Sequence, residues 1–254
     1  MIDHNPFFRQ GSGKHAVLLI HGIAGSPGHF RDLVSVIPEE FSVYNILLDG
    51  HNGTVEDFAK TSMAKWKAQV AATLDDLFAR HEKVVIVAHS MGTLFAIQAA
   101  IDHPDRIPCL FLLSVPTRPW VRLSTMVTSV RVAFGKLDDP KAQAMRNDTG
   151  IMLTSKLWKY LGWVPRMIEL LRECRRIRKI LPQLRTPTLS FQSRTDELVS
   201  IRSCRDLEFH PYITNLMLLD SGHFAYGRKD IPYLQKSLQQ MLSALERSPH
   251  EKAL

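Results

Sequence analysis

Two kinds of apolar pattern alternate along this chain. Continuous runs such as Ala16-Val17-Leu18-Leu19-Ile20 and Val84-Val85-Ile86-Val87 predict strands covered on both faces, since a strand with one wet face would alternate with polar residues. Shorter runs over Phe41 to Leu48, Ile107 to Leu113, Thr188 to Gln192 and Tyr212 to Leu219 predict further strands. Between them, apolar residues recur at three- and four-residue spacing, the mark of helices lying on a sheet. Trp66, Val70, Leu74 and Leu77 after Ser62 form one such stripe, and Ile231, Leu234, Leu238, Met241, Leu242 and Leu245 another. Ser26 and Pro27 predict the N-cap and first position of a helix running through Phe30, Leu33 and Val34 to Ile37. Helices are also expected from Leu94 to Ile101 and from Ile201 to Leu207.

The alternation breaks after Pro116. Residues 117–185 hold no convincing strand, where an α/β unit needs only one crossover helix. The expected layout is an α/β core over residues 1–116 and 186–254, a mostly parallel central sheet flanked by helices, with 117–185 inserted as a helical cap.

Composition changes this picture little. A chain of 254 residues, 45% hydrophobic and 22% charged, suits one large globular domain and excludes disorder, collagen and coiled coil. Charge changes it more: the net charge is +7, yet 117–185 alone carries 15 Lys+Arg against 5 Asp+Glu. The excess basicity therefore belongs to the expected cap. Its run Arg172, Arg175, Arg176, Arg178 and Lys179 reads either as a solvated helix face or as a weak peripheral contact with an anionic membrane. No recognisable nucleic-acid module accompanies it, so no nucleic-acid partner is expected. The apolar residues Trp120, Met126, Phe134, Trp158, Leu161 and Trp163 are candidates to line a tunnel or to pack the cap on the core.

Cys109, Cys174 and Cys204 are expected to be free thiols, with neither a CxxC pair nor a His cluster to hold a metal. The opening Met1-Ile2-Asp3-His4-Asn5-Pro6 lacks a basic n-region, which leads to the expectation of a cytoplasmic protein. Gln10-Gly11-Ser12-Gly13-Lys14 is a turn and not a phosphate loop, because it precedes a strand and is followed by His15 instead of Ser or Thr.

The chemistry concentrates at Ser90. It lies between a buried strand and a helix, in Ala88-His89-Ser90-Met91-Gly92, where a sharp turn would lift its hydroxyl above the sheet edge. A serine hydroxyl attacks only if a base takes its proton, and that base is best a histidine oriented by a carboxylate. Asp196 and His223 each follow a later predicted strand, and loops at that edge of a parallel sheet converge however distant they are in sequence. Asp220 and Glu197 stand as alternatives to Asp196. His21, His29, His51, His89 and His210 are alternatives to His223, although His89 is expected to point away from Ser90. The developing oxyanion needs fixed donors, for which the N–H groups of Met91 and Ile23 are candidates.

Together, His21-Gly22-Ile23-Ala24-Gly25, Ala88-His89-Ser90-Met91-Gly92, Asp196 and Gly222-His223 resemble the α/β-hydrolase superfamily, and the arrangement is similar to its bacterial carboxylesterase and monoacylglycerol lipase branch. The resemblance covers residues 15–116 and 186–246. It implies an α/β-hydrolase fold, no metal or organic cofactor, and two-step hydrolysis of a small-molecule ester of short to medium acyl chain, monoacylglycerols included. Hydrolysis of a lactone, thioester, amide or C–C bond, or a ligand-binding receptor that keeps the triad with little turnover, are the competing expectations. Ala88 and Thr93 depart from the family pattern, which more often has glycine at both places.

Overall fold

The computed structural model describes residues 3–247; Met1 and Ile2 of the opening segment lie outside them. Seven strands form one sheet in the order β1-β3-β2-β4-β5-β6-β7. These are β1 (Phe7–Arg9), β2 (His15–Ile20), β3 (Ser42–Ile46), β4 (Lys83–His89), β5 (Leu110–Leu113), β6 (Thr188–Ser193) and β7 (Ile213–Leu218). All neighbours pair in parallel except β1, which runs antiparallel to β3.

The continuous apolar runs arise because the two faces of each central strand feed two separate cores. Ala16, Leu18, Ile20, Val84, Ile86 and Ala88 pack on one side; Val17, Leu19, Val85 and Val87 pack on the other. The described residues hold nine helices: α1 (Arg31–Val34), α2 (Val55–Lys60), α3 (Met63–Arg80), α4 (Met91–Asp102), α5 (Leu123–Ala133), α6 (Pro140–Asp148), α7 (Val164–Ile180), α8 (Cys204–Leu207) and α9 (Ile231–Arg247). The α3 stripe of Trp66, Val70, Leu74 and Leu77 and the buried Cys174 and Ile177 of α7 join the first core. Leu234, Leu238 and Leu242 of α9, one helical turn apart, close the second. Thr54 caps α2 in a reciprocal box with Asp57, and Ser62 caps α3 by accepting from Lys65 N–H at 3.2 Å.

Several elements differ from the pattern-based expectation. The helix expected from Pro27 to Ile37 is a 3₁₀ turn, Pro27–Phe30, followed by the short α1; Ser26 makes no cap bond, its hydroxyl meeting His4 Nδ1 instead. β5 starts at Leu110 because Pro108 has no N–H for the ladder. β1 was not anticipated at all: three residues with Phe7 and Phe8 exposed leave no periodic signal.

Residues between β5 and β6 fold as α5, α6, a 3₁₀ segment Leu157–Trp163, and α7. They are tied to the rest of the chain by Gly150 N–H to Ala24 C=O, Met152 N–H to Gly53 C=O, and the Trp163 indole to Val55 C=O at 2.9 Å. The side chains named for a tunnel behave differently from one another. Trp163 packs on Phe58 with ring centroids 4.5 Å apart, whereas Trp120, Met126, Phe134, Trp158 and Leu161 are open to solvent. Among the described residues, no helix is long and apolar enough to cross a membrane.

Candidate active site

β4 delivers the chain into Ser90 and α4 begins at the next residue. Such an abrupt reversal requires an unusual backbone: Ser90 has φ 50° and ψ −121°, a region that residues with a Cβ rarely occupy. Neighbours hold it there. Ser90 N–H donates to Leu113 C=O of β5 at 2.9 Å, and Thr93 Oγ1 donates to Ser90 C=O at 2.6 Å. Thr93, a departure from the family pattern, thus adds a bond that glycine would lack. Gly92 is dictated by contact, since a Cβ there would stand 2.2 Å from Ile20 C=O.

The loop after β2 is pressed against this turn. A Cβ on Gly22 would lie 2.9 Å from Ser90 Cβ, so only glycine lets the following backbone pass beside the serine. The N–H of Met91, first in α4, and that of Ile23 donate to no partner among the described residues. Two histidines fix this loop. His21 Nε2 accepts from Leu48 N–H, which leaves Nδ1–H to donate to Gly22 C=O at 2.8 Å. His51 Nε2 accepts from Ala24 N–H at 3.1 Å. Burial drives His21 well below its ordinary value and His51 to about 4, so both are neutral supports near pH 7. Their placement beside a glycine-rich turn was the available sequence signal for this role.

Asp196 follows β6 and His223 follows β7. His223 Nδ1 lies 3.0 Å from both carboxylate oxygens of Asp196, so Nε2 is the nitrogen directed away from the acid. Burial opposes a charged imidazole here, but the Asp196 carboxylate outweighs it and His223 sits above its ordinary value. Burial likewise opposes ionisation of Asp196; His223 and the N–H groups of Leu198 and Val199, at 2.8 and 2.7 Å, hold its pKa below the usual carboxylate value.

The alternative acids do other work. Glu197 accepts His223 N–H at 2.6 Å and so braces the backbone of that loop, while Asp220 N–H bonds to Asp230 at 2.9 Å. Among the alternative bases, His210 bonds to Leu181 C=O. His89 does not stand clear of the site: its ring lies 4.7 Å from that of His223 and 3.7 Å from that of His29, stacked on the latter. His29 in turn bonds to Asp148 through Nδ1 and to Tyr226 through Nε2, both at 2.5 Å. Asp148 ends α6, so a buried pair spans the segment between β5 and β6 and the loop after β2. Among the described residues no three His, Cys, Asp or Glu side chains group to hold a metal ion.

The fold is that of the α/β hydrolases. A family model described as "alpha/beta hydrolase fold" matches residues 15–133. A metagenome-derived lipolytic enzyme from the LipS and LipT study superposes with TM-score 0.72 at 22% identity, covering 94% of this chain and 97% of the other. The monoacylglycerol lipase of Paleococcus ferrophilus gives 0.68 at 19% identity, covering 94% and 98%. In sequence, a thermostable monoacylglycerol lipase of Bacillus sp. (strain H-257) is 31% identical over 101 residues, 39% of this chain and 40% of that enzyme. Over these spans the chain is similar to lipases and esterases that share the fold. It spans less than half the length of the curated relatives it matches.

Proposed function

We propose that the protein is a serine hydrolase cleaving carboxylic esters of short to medium acyl chain, monoacylglycerols among them, with residues 117–185 as the cap above the site. The observation that carries this reading is the buried His223–Asp196 pair, placed at the sheet edge where Ser90 sits on its strained turn. Ser90 Oγ attacks the acyl carbonyl while His223 Nε2 takes its proton. The tetrahedral oxyanion is received by the N–H groups of Met91 and Ile23. His223 then returns the proton to the leaving alcohol, which departs and leaves the acyl group on Ser90. Water, deprotonated by the same histidine, attacks that ester and frees the acid. Asp196 fixes the tautomer and favours the imidazolium that forms at each step. The resemblance to monoacylglycerol lipases supports ester chemistry.

The test is turnover of an aryl-ester and monoacylglycerol chain-length series by the protein and by Ser90→Ala. Multiple turnover by the parent and loss of it in the variant, with an unchanged circular dichroism spectrum, is expected. Undiminished hydrolysis by Ser90→Ala refutes the assignment. Labelling of Ser90 by a fluorophosphonate without turnover of any of these esters would refute ester hydrolysis, leaving a receptor or a hydrolase of another bond.

A further inference from the structure

A cavity of about 480 Å³ opens between α7, the loop after β5 and the loop after β6. None of Ser90, Asp196 or His223 lines it. Its walls carry Arg118, Arg175, Arg178 and Arg202, together with Trp120 and Leu171. The two loops are fastened to each other: Trp120 N–H donates to Leu198 C=O at 2.8 Å and Ser200 N–H to Arg118 C=O at 3.1 Å. Leu171, Arg175 and Arg178 lie four and seven residues apart on α7, hence on one helix face. Arg118 is already occupied, holding Asp206 with bonds of 2.9 and 2.8 Å. Asp206 also faces Arg178, but its oxygens are spent on Arg118 and Thr117. No hydrogen bond or ion pair among the described residues engages the guanidinium groups of Arg175, Arg178 or Arg202.

Three guanidinium groups with no bonded carboxylate around one concavity repel one another and concentrate anions. Their planar forks match the oxygens of phosphate and carboxylate groups, and a polyphosphate carries enough charge in a small volume to engage all three at once. Trp120, 67% exposed, offers an open ring beside them, on which a planar or apolar group can lie. The volume is within the range of small-molecule sites. We propose that this cavity binds a soluble organic polyphosphate, its phosphates on Arg175, Arg178 and Arg202 and its ring or apolar end on Trp120 and Leu171. The site stands independently of the ester chemistry proposed above.

Calorimetric titration of the full chain at low salt, with ADP, inorganic pyrophosphate and adenosine as probes, tests it. Saturable binding of ADP and weaker binding of pyrophosphate are expected, with none for adenosine. The double variant Arg175→Glu/Arg178→Glu should weaken both anions by about tenfold or more, and Trp120→Ala should weaken ADP while sparing pyrophosphate. All these side chains are exposed or on the cavity rim, so unchanged melting temperatures will show that the variants fold. The proposal is overturned if neither anion binds, or if the double variant binds them as the parent does. Salt-sensitive capture by phosphatidylglycerol vesicles without binding of either probe would also overturn it, making the arginines a membrane-facing patch. A Trp120→Ala variant that binds ADP normally refutes the placement of the ring.

Discussion

Replacing Ser90 by glycine should make the protein more stable than replacing it by alanine, although both changes remove the same hydroxyl. At φ 50° and ψ −121° a residue with a Cβ carries about 1–3 kcal/mol of backbone strain, which alanine keeps and glycine relieves. Glycine gives back about 0.5–1 kcal/mol through its greater freedom in the unfolded chain. It also removes Ser90 Cβ, beside which the Gly22 backbone passes closely enough to exclude a Cβ of its own. The balance is a gain of about 1 kcal/mol for Ser90→Gly over Ser90→Ala. For a chain of this size that corresponds to a melting temperature higher by about 2–4 °C. Scanning calorimetry and urea unfolding of the two variants, with equal m-values as the check on two-state comparison, measure it directly. If Ser90→Gly melts at or below Ser90→Ala, the turn is not strained and the reasoning fails. A stabilised Ser90→Gly would mean that folding energy is stored where the proposed nucleophile is presented.

Other consequences follow from the same geometry. His223 must be neutral to act as base, and Asp196 raises its pKa, so kcat/KM for an aryl ester should climb as pH rises through a value above 6.5. In Asp196→Asn the nearest carboxylate is gone and burial is opposed only by Asp148 and Glu197, so that limb should move to lower pH while the plateau falls on the order of 10⁴-fold; an unmoved limb would show that Asp196 does not set it. For stability the signs oppose. The raised His223 pKa contributes below pH 6.5 and is lost as pH rises through the folded value, whereas the lowered Asp196 pKa contributes above pH 3.8 and is lost as pH falls through its folded value. Asp148→Ala leaves buried His29 without its Nδ1 partner and should cost about 1–3 kcal/mol. Hydrogen exchange should quicken at Gly150, whose N–H bonds to Ala24 C=O; Asp148→Asn should retain most of the stability, and equal losses in the two would count against a specific His29 bond.

The central strands were legible because burial on both faces writes itself into consecutive residues: β2 and β4 could be read from Ala16 to Ile20 and from Val84 to Ala88 alone. Helix α9 was legible because its apolar stripe repeats over several turns. The turn at Ser90 and the order in which Asp196 and His223 follow later strands were also local properties, each fixed by a residue's position at a strand end. β1 escaped because an exposed three-residue edge strand imposes no pattern, and the helix expected after Pro27 is a 3₁₀ turn followed by the four-residue α1, with Ser26 bonded to His4 instead of capping it.

What the chain determined by itself is therefore its elements and the edge to which its chemistry is brought, since these depend on neighbours within about one turn or one strand. Which polar groups meet across that edge was decided only by tertiary structure. Nothing near His29 announces Asp148, 119 positions away, and nothing near Arg118 announces Arg175, Arg178 and Arg202 around the same cavity. Glu197 and Asp196 are adjacent in sequence, yet one braces the backbone of His223 and the other its ring. The direction of a side chain at a loop, set by contacts from other strands, separates the two roles.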